Sequence, residues 1–276
     1  MTNYIYCLFG ILAVISNLFC FDIHAKIRKR VKKTPIVHTP NERKNVIGQV
    51  ITNAKNDIIH EGWYTMLAGS IPWGYFHEII EERSDGMGDS NISYRYEMVR
   101  IEHGVTYQEI LGALSKRDLT PITFNLVKTM NGVNEVVNGS LLRRRGLNNQ
   151  ISVTVTGTKN SSYKKAIKKN TIFESFFSLW LARNVLKEGA KTKGYLSIFT
   201  EDGSASEFAA KTARYEVLGE DSANKCTTIR VKLMSDTSTW CVGKIGNLVS
   251  MKLKEITIQQ VASETEAKKF LSAKTE

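Results

Sequence analysis

From Trp63 onward, apolar and polar positions alternate with period two, and turn residues break the pattern about every eight to twelve positions. This is the signature of antiparallel sheet. Ile92, Tyr94, Tyr96 and Met98 alternate with Ser93, Arg95 and Glu97, which puts an aromatic row on one face and charge on the other. Ile122, Phe124 and Leu126 alternate with Thr123, Asn125 and Val127, and Asn131-Gly132 supplies a hairpin turn. Asn138-Gly139 is a second candidate turn. Ile151, Val153 and Val155 alternate with Ser152, Thr154 and Thr156. Strands resume at 194–199, 213–218, 227–233, 239–242 and 248–258, with Gly246-Asn247 turning between the last two.

Two segments break from period two. Val46, Ile47, Val50, Ile51, Ala54, Ile58 and Ile59 recur at three- and four-residue intervals and predict a short amphipathic helix ending near Gly62. The strongest internal helix runs from Thr171 to Lys187, with Phe173, Phe176, Phe177 and Trp180 on one face and Gly189 as its stop. Such a stripe is a core face packed on the sheet or, on a sharper reading, a lid over an apolar cavity. The expected fold is mainly β (α+β): a large curved antiparallel sheet or half-barrel meander covered by one amphipathic helix. A short helix and a signal segment precede it.

Composition narrows the class. The 276 residues are 42% hydrophobic and 24% charged, enough apolar material for a sizeable core, which excludes a disordered chain. Lys and Arg number 38 against 27 Asp and Glu, a net charge of +11. Residues 4–21 are almost continuously apolar and end in Asp22-Ile23-His24-Ala25, which reads as a secretory signal peptide cleaved after Ala25. The basic flank that follows, Lys26, Arg28, Lys29, Arg30, Lys32 and Lys33, keeps a second reading open. In it, residues 4–21 are an uncleaved membrane anchor, since a run of about 18 apolar residues is long enough to span. Cys20 lacks the small neighbours of a lipidation site. The chain divides into a signal segment or anchor (1–25), a basic tether (26–44), one β-rich domain (45–262) and a polar tail (263–276). Lys26 to Lys33 suit an anionic membrane surface.

Export would leave Cys226 and Cys241 as the thiols of the mature chain. With a turn placed at Ser235-Asp236-Thr237, Cys226 falls opposite about residue 247 and Cys241 opposite about 232. The offset of about six residues, roughly 20 Å, exceeds the roughly 7 Å a bridge allows. Two half-buried thiols are therefore expected.

Gly62-Trp63-Tyr64 followed by Gly69-Ser70-Ile71-Pro72-Trp73-Gly74-Tyr75-Phe76-His77-Glu78 resembles the opening hairpin of exported bacterial β-domains found alone or ahead of transglutaminase-like peptidase domains. Thr120-Pro121-Ile122-Thr123-Phe124, Thr239-Trp240-Cys241-Val242 and Gly246-Asn247-Leu248-Val249-Ser250-Met251 occur in the matching order. The resemblance spans roughly residues 61 to 255 and rests on short, mostly structural motifs. It implies a curved antiparallel sheet, distantly similar to periplasmic lipoprotein-carrier folds, without catalytic residues.

The remaining residues point away from catalysis. His77-Glu78 with Glu81 and Glu82 lacks a second histidine at ligand spacing, so no metal site is expected. Nothing in the sequence brings Cys226 or Cys241 to His77 or His103 as a nucleophile-base pair. No phosphate loop and no cofactor motif is present. Arg143, Arg144, Arg145, Lys159, Lys164, Lys165, Lys168 and Lys169 form a basic run, either a solvated surface or a contact for anionic lipid or cell-wall polymer. Export argues against nucleic acid, as does the shortage of stacking aromatics there, Tyr163 excepted. Two expectations follow. One is a non-catalytic envelope module holding a lipid, acyl chain or protein segment on the concave face formed by Tyr94, Tyr96, Phe124, Phe173, Phe176, Phe177 and Trp180. The other is an accessory domain packed against another envelope protein, its interior filled by its own side chains.

Overall fold

The computed structural model describes residues 56–84, 90–143, 149–158, 160–187, 192–201 and 210–272. The signal segment, the basic tether and most of the 46–59 pattern lie outside these residues. Among the described residues, no helix is long and apolar enough to cross a membrane.

Eight strands form the first half: β1 (Asn56–Ala68), β2 (Ile71–Ser84), β3 (Ser90–Glu102), β4 (Val105–Lys116), β5 (Pro121–Met130), β6 (Val133–Leu142), β7 (Gln150–Thr156) and β8 (Ser161–Ala166). The second half begins with the two-residue β9 (Ile172–Phe173), a 3-10 turn (Glu174–Phe176) and α1 (Phe177–Asn184). It continues through β10 (Lys193–Phe199), β11 (Ala210–Asp221), β12 (Cys226–Leu233), β13 (Asp236–Gly243), β14 (Leu248–Leu253), β15 (Ile256–Val261) and α2 (Glu264–Ser272).

The strands make one curved, open, 15-stranded sheet in the order β8-β7-β6-β5-β4-β3-β2-β1-β15-β14-β13-β12-β11-β10-β9. All pairs are antiparallel except β9 with β10. The two edges, β8 and β9, are joined by residues 167–171, so the sheet curls into a barrel whose seam falls mid-chain. The predicted aromatic row faces inward, with Ile92, Tyr94, Tyr96 and Met98 all buried. Asn131-Gly132 forms the predicted turn, both residues at positive φ (50° and 77°).

Several expectations are corrected. Ile58 and Ile59 belong to strand β1, where tertiary pairing with β2 overrides their helical spacing. Asn138-Gly139 lies inside β6; glycine is required there because the Phe124 ring lies across the site a Cβ would fill. The 248–258 run folds back on itself as β14 and β15, turning at Lys254 with φ 54°. The 171–187 helix shortens to α1, while Phe173 belongs to β9 and Phe176 to the 3-10 turn. Gly189 lies outside the described residues, and the helix ends at Asn184. Residues 264–272 of the polar tail are helical. The Ser263 hydroxyl accepts the Glu266 N–H (3.3 Å), the Glu266 carboxylate accepts the Ala262 N–H (3.1 Å), and Ala267 buries its methyl against the outer face of the sheet beside Tyr75.

Cys226 and Cys241 form a disulfide, contrary to expectation. The hairpin turns two residues earlier than predicted, at Met234-Ser235, so that Leu233 pairs with Asp236. Moving a turn by two residues moves each strand partner by four. Cys226 therefore lies opposite Gly243 and Cys241 opposite Thr228, and the two Cα atoms are 5.5 Å apart.

Candidate functional site

The segment from β9 through α1 enters the barrel and touches both walls. Phe124 on β5 meets Phe173 at 5.5 Å and Phe199 on β10 at 6.1 Å between ring centroids. Tyr94 on β3 meets Phe176 at 5.9 Å, and Phe177 meets Trp240 on β13 at 5.5 Å. Six of the seven predicted apolar-site residues, Tyr94, Tyr96, Phe124, Phe173, Phe176 and Phe177, are thus brought together and buried. Their rings pack against one another and against the sheet as an interior plug, and each such ring contributes about 1.5–3 kcal/mol by leaving water. Trp180 differs, being only partly buried.

Polar groups inside the barrel are arranged around Tyr94. Its hydroxyl donates to Glu78 (3.0 Å), as does that of Tyr64 (2.6 Å), while His60 Nε2 lies 3.3 Å from the same carboxylate. Burial, reinforced by Glu78, raises both tyrosines well above their ordinary range. Glu201 accepts the backbone N–H groups of Glu174 (3.0 Å) and Ser175 (3.3 Å) and the Ser175 hydroxyl (2.5 Å). It therefore caps the start of the plug. Burial pushes its carboxyl up to about 7, against the opposing pull of the Ser175 hydrogen bond.

Trp180 faces a different environment. A surface cleft of about 680 Å³ at the seam is lined by Asp118 and Thr120 of the β4–β5 turn, residues 168–171 of the β8–β9 link, Ile172 of β9, Trp180, residues 195–197 of β10, and Thr212 of β11. Lys168 and Lys169 lie in it and are exposed, as is Tyr195 (78% exposed). Among the described residues, Asp118 is the one acid of the lining; burial would raise its carboxyl, and hydrogen bonds from Thr120 lower it instead. Trp180 reaches the cleft from α1 while packing against Tyr215 at 5.7 Å. The cleft unites the end of the basic run with the end of the aromatic stripe, which the sequence presented as separate features.

The rest of the basic run disperses. Arg143 and Lys164 are exposed, and Lys165 Nζ sits 5.9 Å over the Tyr163 ring. Arg144, Arg145 and Lys159 lie outside the described residues. His77 stacks on Trp63 at 3.9 Å and contacts Glu61 at 3.0 Å on the outer face. Among the described residues, the one group of three metal-type ligands is Asp221, Cys226 and Cys241, whose sulfurs are joined to each other.

No protein-family model and no curated protein matches the chain. Among solved structures, it is similar to a β-barrel-like protein of the domain of unknown function DUF1849 from Brucella abortus. That likeness has 9% identity and a TM-score of 0.50, covering 73% of this chain and 95% of the other. A DUF1089 family protein from Pseudomonas aeruginosa overlaps more loosely, with 8% identity and a TM-score of 0.39, covering 80% of this chain and 95% of the other. The first likeness supports a distant β-barrel-like fold and bears on fold alone. Association with peptidases and kinship with lipoprotein carriers gain nothing from it.

Proposed function

We propose that the protein is a non-catalytic binding module of the cell envelope that engages its partner at the seam cleft, not in the barrel interior. The observation that carries this reading is the cleft itself, where Lys168, Lys169, Trp180 and Tyr195 converge from three separate segments. Clustered cations beside aromatic rings suit an anionic partner with some apolar character. The interior offers less, because a lipid or acyl chain would have to displace the Phe173, Phe176 and Phe177 rings. The signal-like residues 4–21 and the basic Lys26 to Lys33 segment favour the envelope.

The test uses the full chain in its native host, carrying a photo-crosslinking amino acid at Tyr195 or at Met130, an exposed position at the far end of β5. Discrete adducts at residue 195 and none at 130 are the expected result. Equal labelling at both positions, or none at either, would overturn the cleft assignment. A stoichiometric lipid extracted from the purified protein would return the function to the interior. The intact mass of the same sample tests export, since a mature chain should begin at Lys26.

A further inference from the structure

The cleft exists because the sheet fails to close along β10. Strand β9 pairs with β10 only at Ile172↔Ile198 and Phe173↔Phe199. One step further, the Thr171 and Ser197 side chains still touch, hydroxyl to hydroxyl at 2.9 Å. Beyond that the chain diverges, and among the described residues 193–197 are paired with β11 alone. Register decides which main-chain groups face the gap. The Val217 N–H donates to the Thr192 carbonyl (2.6 Å), so residue 192 points toward β11, and by the alternation of an antiparallel ladder so do 194 and 196. Lys193 and Tyr195 then turn their N–H and C=O groups to the open side, as Ser197 does its N–H, while the Ser197 C=O accepts from Ile172 in the short β9 ladder. About 13 Å of edge, from Lys193 to the Ser197 N–H, is left open at about 3.3 Å per residue.

Resting on the cleft reading above, we infer that this edge takes an extended acidic peptide segment of a partner protein as an added strand. A strand laid along residues 193–197 would satisfy the main-chain groups of Lys193 and Tyr195 and the Ser197 N–H, the hydrogen bonding that drives strand addition. Charge sets the sign of the partner. Lys168, Lys169 and Lys193 are exposed around the edge, Arg214 is exposed opposite Tyr195 on β11, and Asp118 is the one acid among the described residues of the lining. The chain's own segment 26–44 carries Lys26, Arg28, Lys29, Arg30, Lys32 and Lys33, the wrong sign for this site. Trp180, Leu196 and Ile172 supply apolar contact for alternate side chains of the incoming strand.

The experiment titrates the purified protein with an end-blocked peptide of alternating valine and glutamate, and with the same peptide carrying lysine for glutamate. The acidic peptide should bind at least about tenfold more tightly, as expected for two or three exposed ion pairs. The double variant Lys168→Glu/Lys169→Glu should reverse that order. Tyr195→Pro removes the N–H on the open side without touching the β11 ladder, a substitution that edge strands tolerate. It should abolish binding with the fold intact by circular dichroism, whereas Tyr195→Ala should retain binding. Equal binding of the two peptides, or binding unchanged in Tyr195→Pro, would overturn the strand-addition inference. So would a sulfated oligosaccharide that binds wild type and Tyr195→Pro alike, which would assign the cations to a glycan. A dimer lost in Tyr195→Pro would assign the edge to a second copy of the chain. If neither peptide binds while residue 195 still crosslinks in the host, strand addition fails and the cleft reading survives.

Discussion

Glu201 should make the protein less stable as pH rises, the reverse of the usual behaviour of a carboxylate with good partners. Its side chain is 3% exposed and faces the start of the plug, near Glu174, Tyr94 and, beyond Tyr94, Glu78. Burial raises its carboxyl from the ordinary 4.5 to about 7. A raised acid binds its proton more tightly in the folded chain than in the unfolded one, so stability is lost progressively between pH 4.5 and 7 and is constant above that window. At about 1.4 kcal/mol per pH unit, the loss from this group approaches about 3 kcal/mol. Glu201→Gln keeps an acceptor for the Ser175 N–H and hydroxyl, loses the one for the Glu174 N–H, and cannot ionise; the lost hydrogen bond is a constant offset that leaves the pH dependence of the difference unchanged. Urea unfolding at several pH values from about 4.5 to 8 should show the variant gaining on wild type across the window, ending about 3 kcal/mol ahead in relative terms. Taking the difference between the two proteins cancels the depressed carboxylates Glu81 and Asp118, which titrate identically in both. Parallel curves for wild type and Glu201→Gln would refute the reasoning, as would a difference that shrinks with rising pH.

Other substitutions test the core, the bridge and the cleft. Cys226→Ser/Cys241→Ser opens a loop with a sequence separation of 15 and should cost about 3 kcal/mol by urea unfolding, while alkylation of the unreduced wild-type protein should find neither cysteine free. Gly139→Ala pushes a methyl into the Phe124 ring and should destabilise by about 1–3 kcal/mol; adding Phe124→Leu should recover part of that loss, so a purely additive double variant would contradict the contact. Phe124→Ala should cost about 3–5 kcal/mol, whereas Trp180→Ala, at the cleft and only partly buried, should cost about 2 kcal/mol; equal losses would place both rings in the same core.

Sheet faces were legible because period two survives any tertiary context: Tyr94, Tyr96, Phe124 and Val153 were expected inward and are buried. Turns were legible where the backbone demanded glycine or asparagine, as at Asn131-Gly132, and illegible where methionine adopts the left-handed conformation, as at Met234 with φ 54°. That displacement was enough to hide the disulfide. The cap of α2 is carried by Ser263-Glu264-Thr265-Glu266, a capping-box spacing, in a tail too polar to show a helix by its apolar period. The aromatic stripe marked buried positions correctly but not their geometry, since Phe173, Phe176 and Phe177 reach the interior from a strand, a 3-10 turn and a helix in succession. The cleft was out of reach. Its lining comes from segments that no local period relates, and it owes its existence to pairing that stops at Ile172, a property of two strands together.

The seam in the middle of the chain has a consequence for a polypeptide made from its N-terminus. Strands β2 to β8 each pair with the strand just before them, so this half-sheet can assemble from neighbouring hairpins without any later residue. Its inner face would then present Tyr94, Phe124 and Val153 to water, the kind of surface on which incomplete chains aggregate. The next residues to emerge are those of β9, the 3-10 turn and α1, whose rings cover that face. The chain thus carries its own shield, delivered before β10 exists, and the ladder joining Trp63 to Val261 can close only after the last strand arrives.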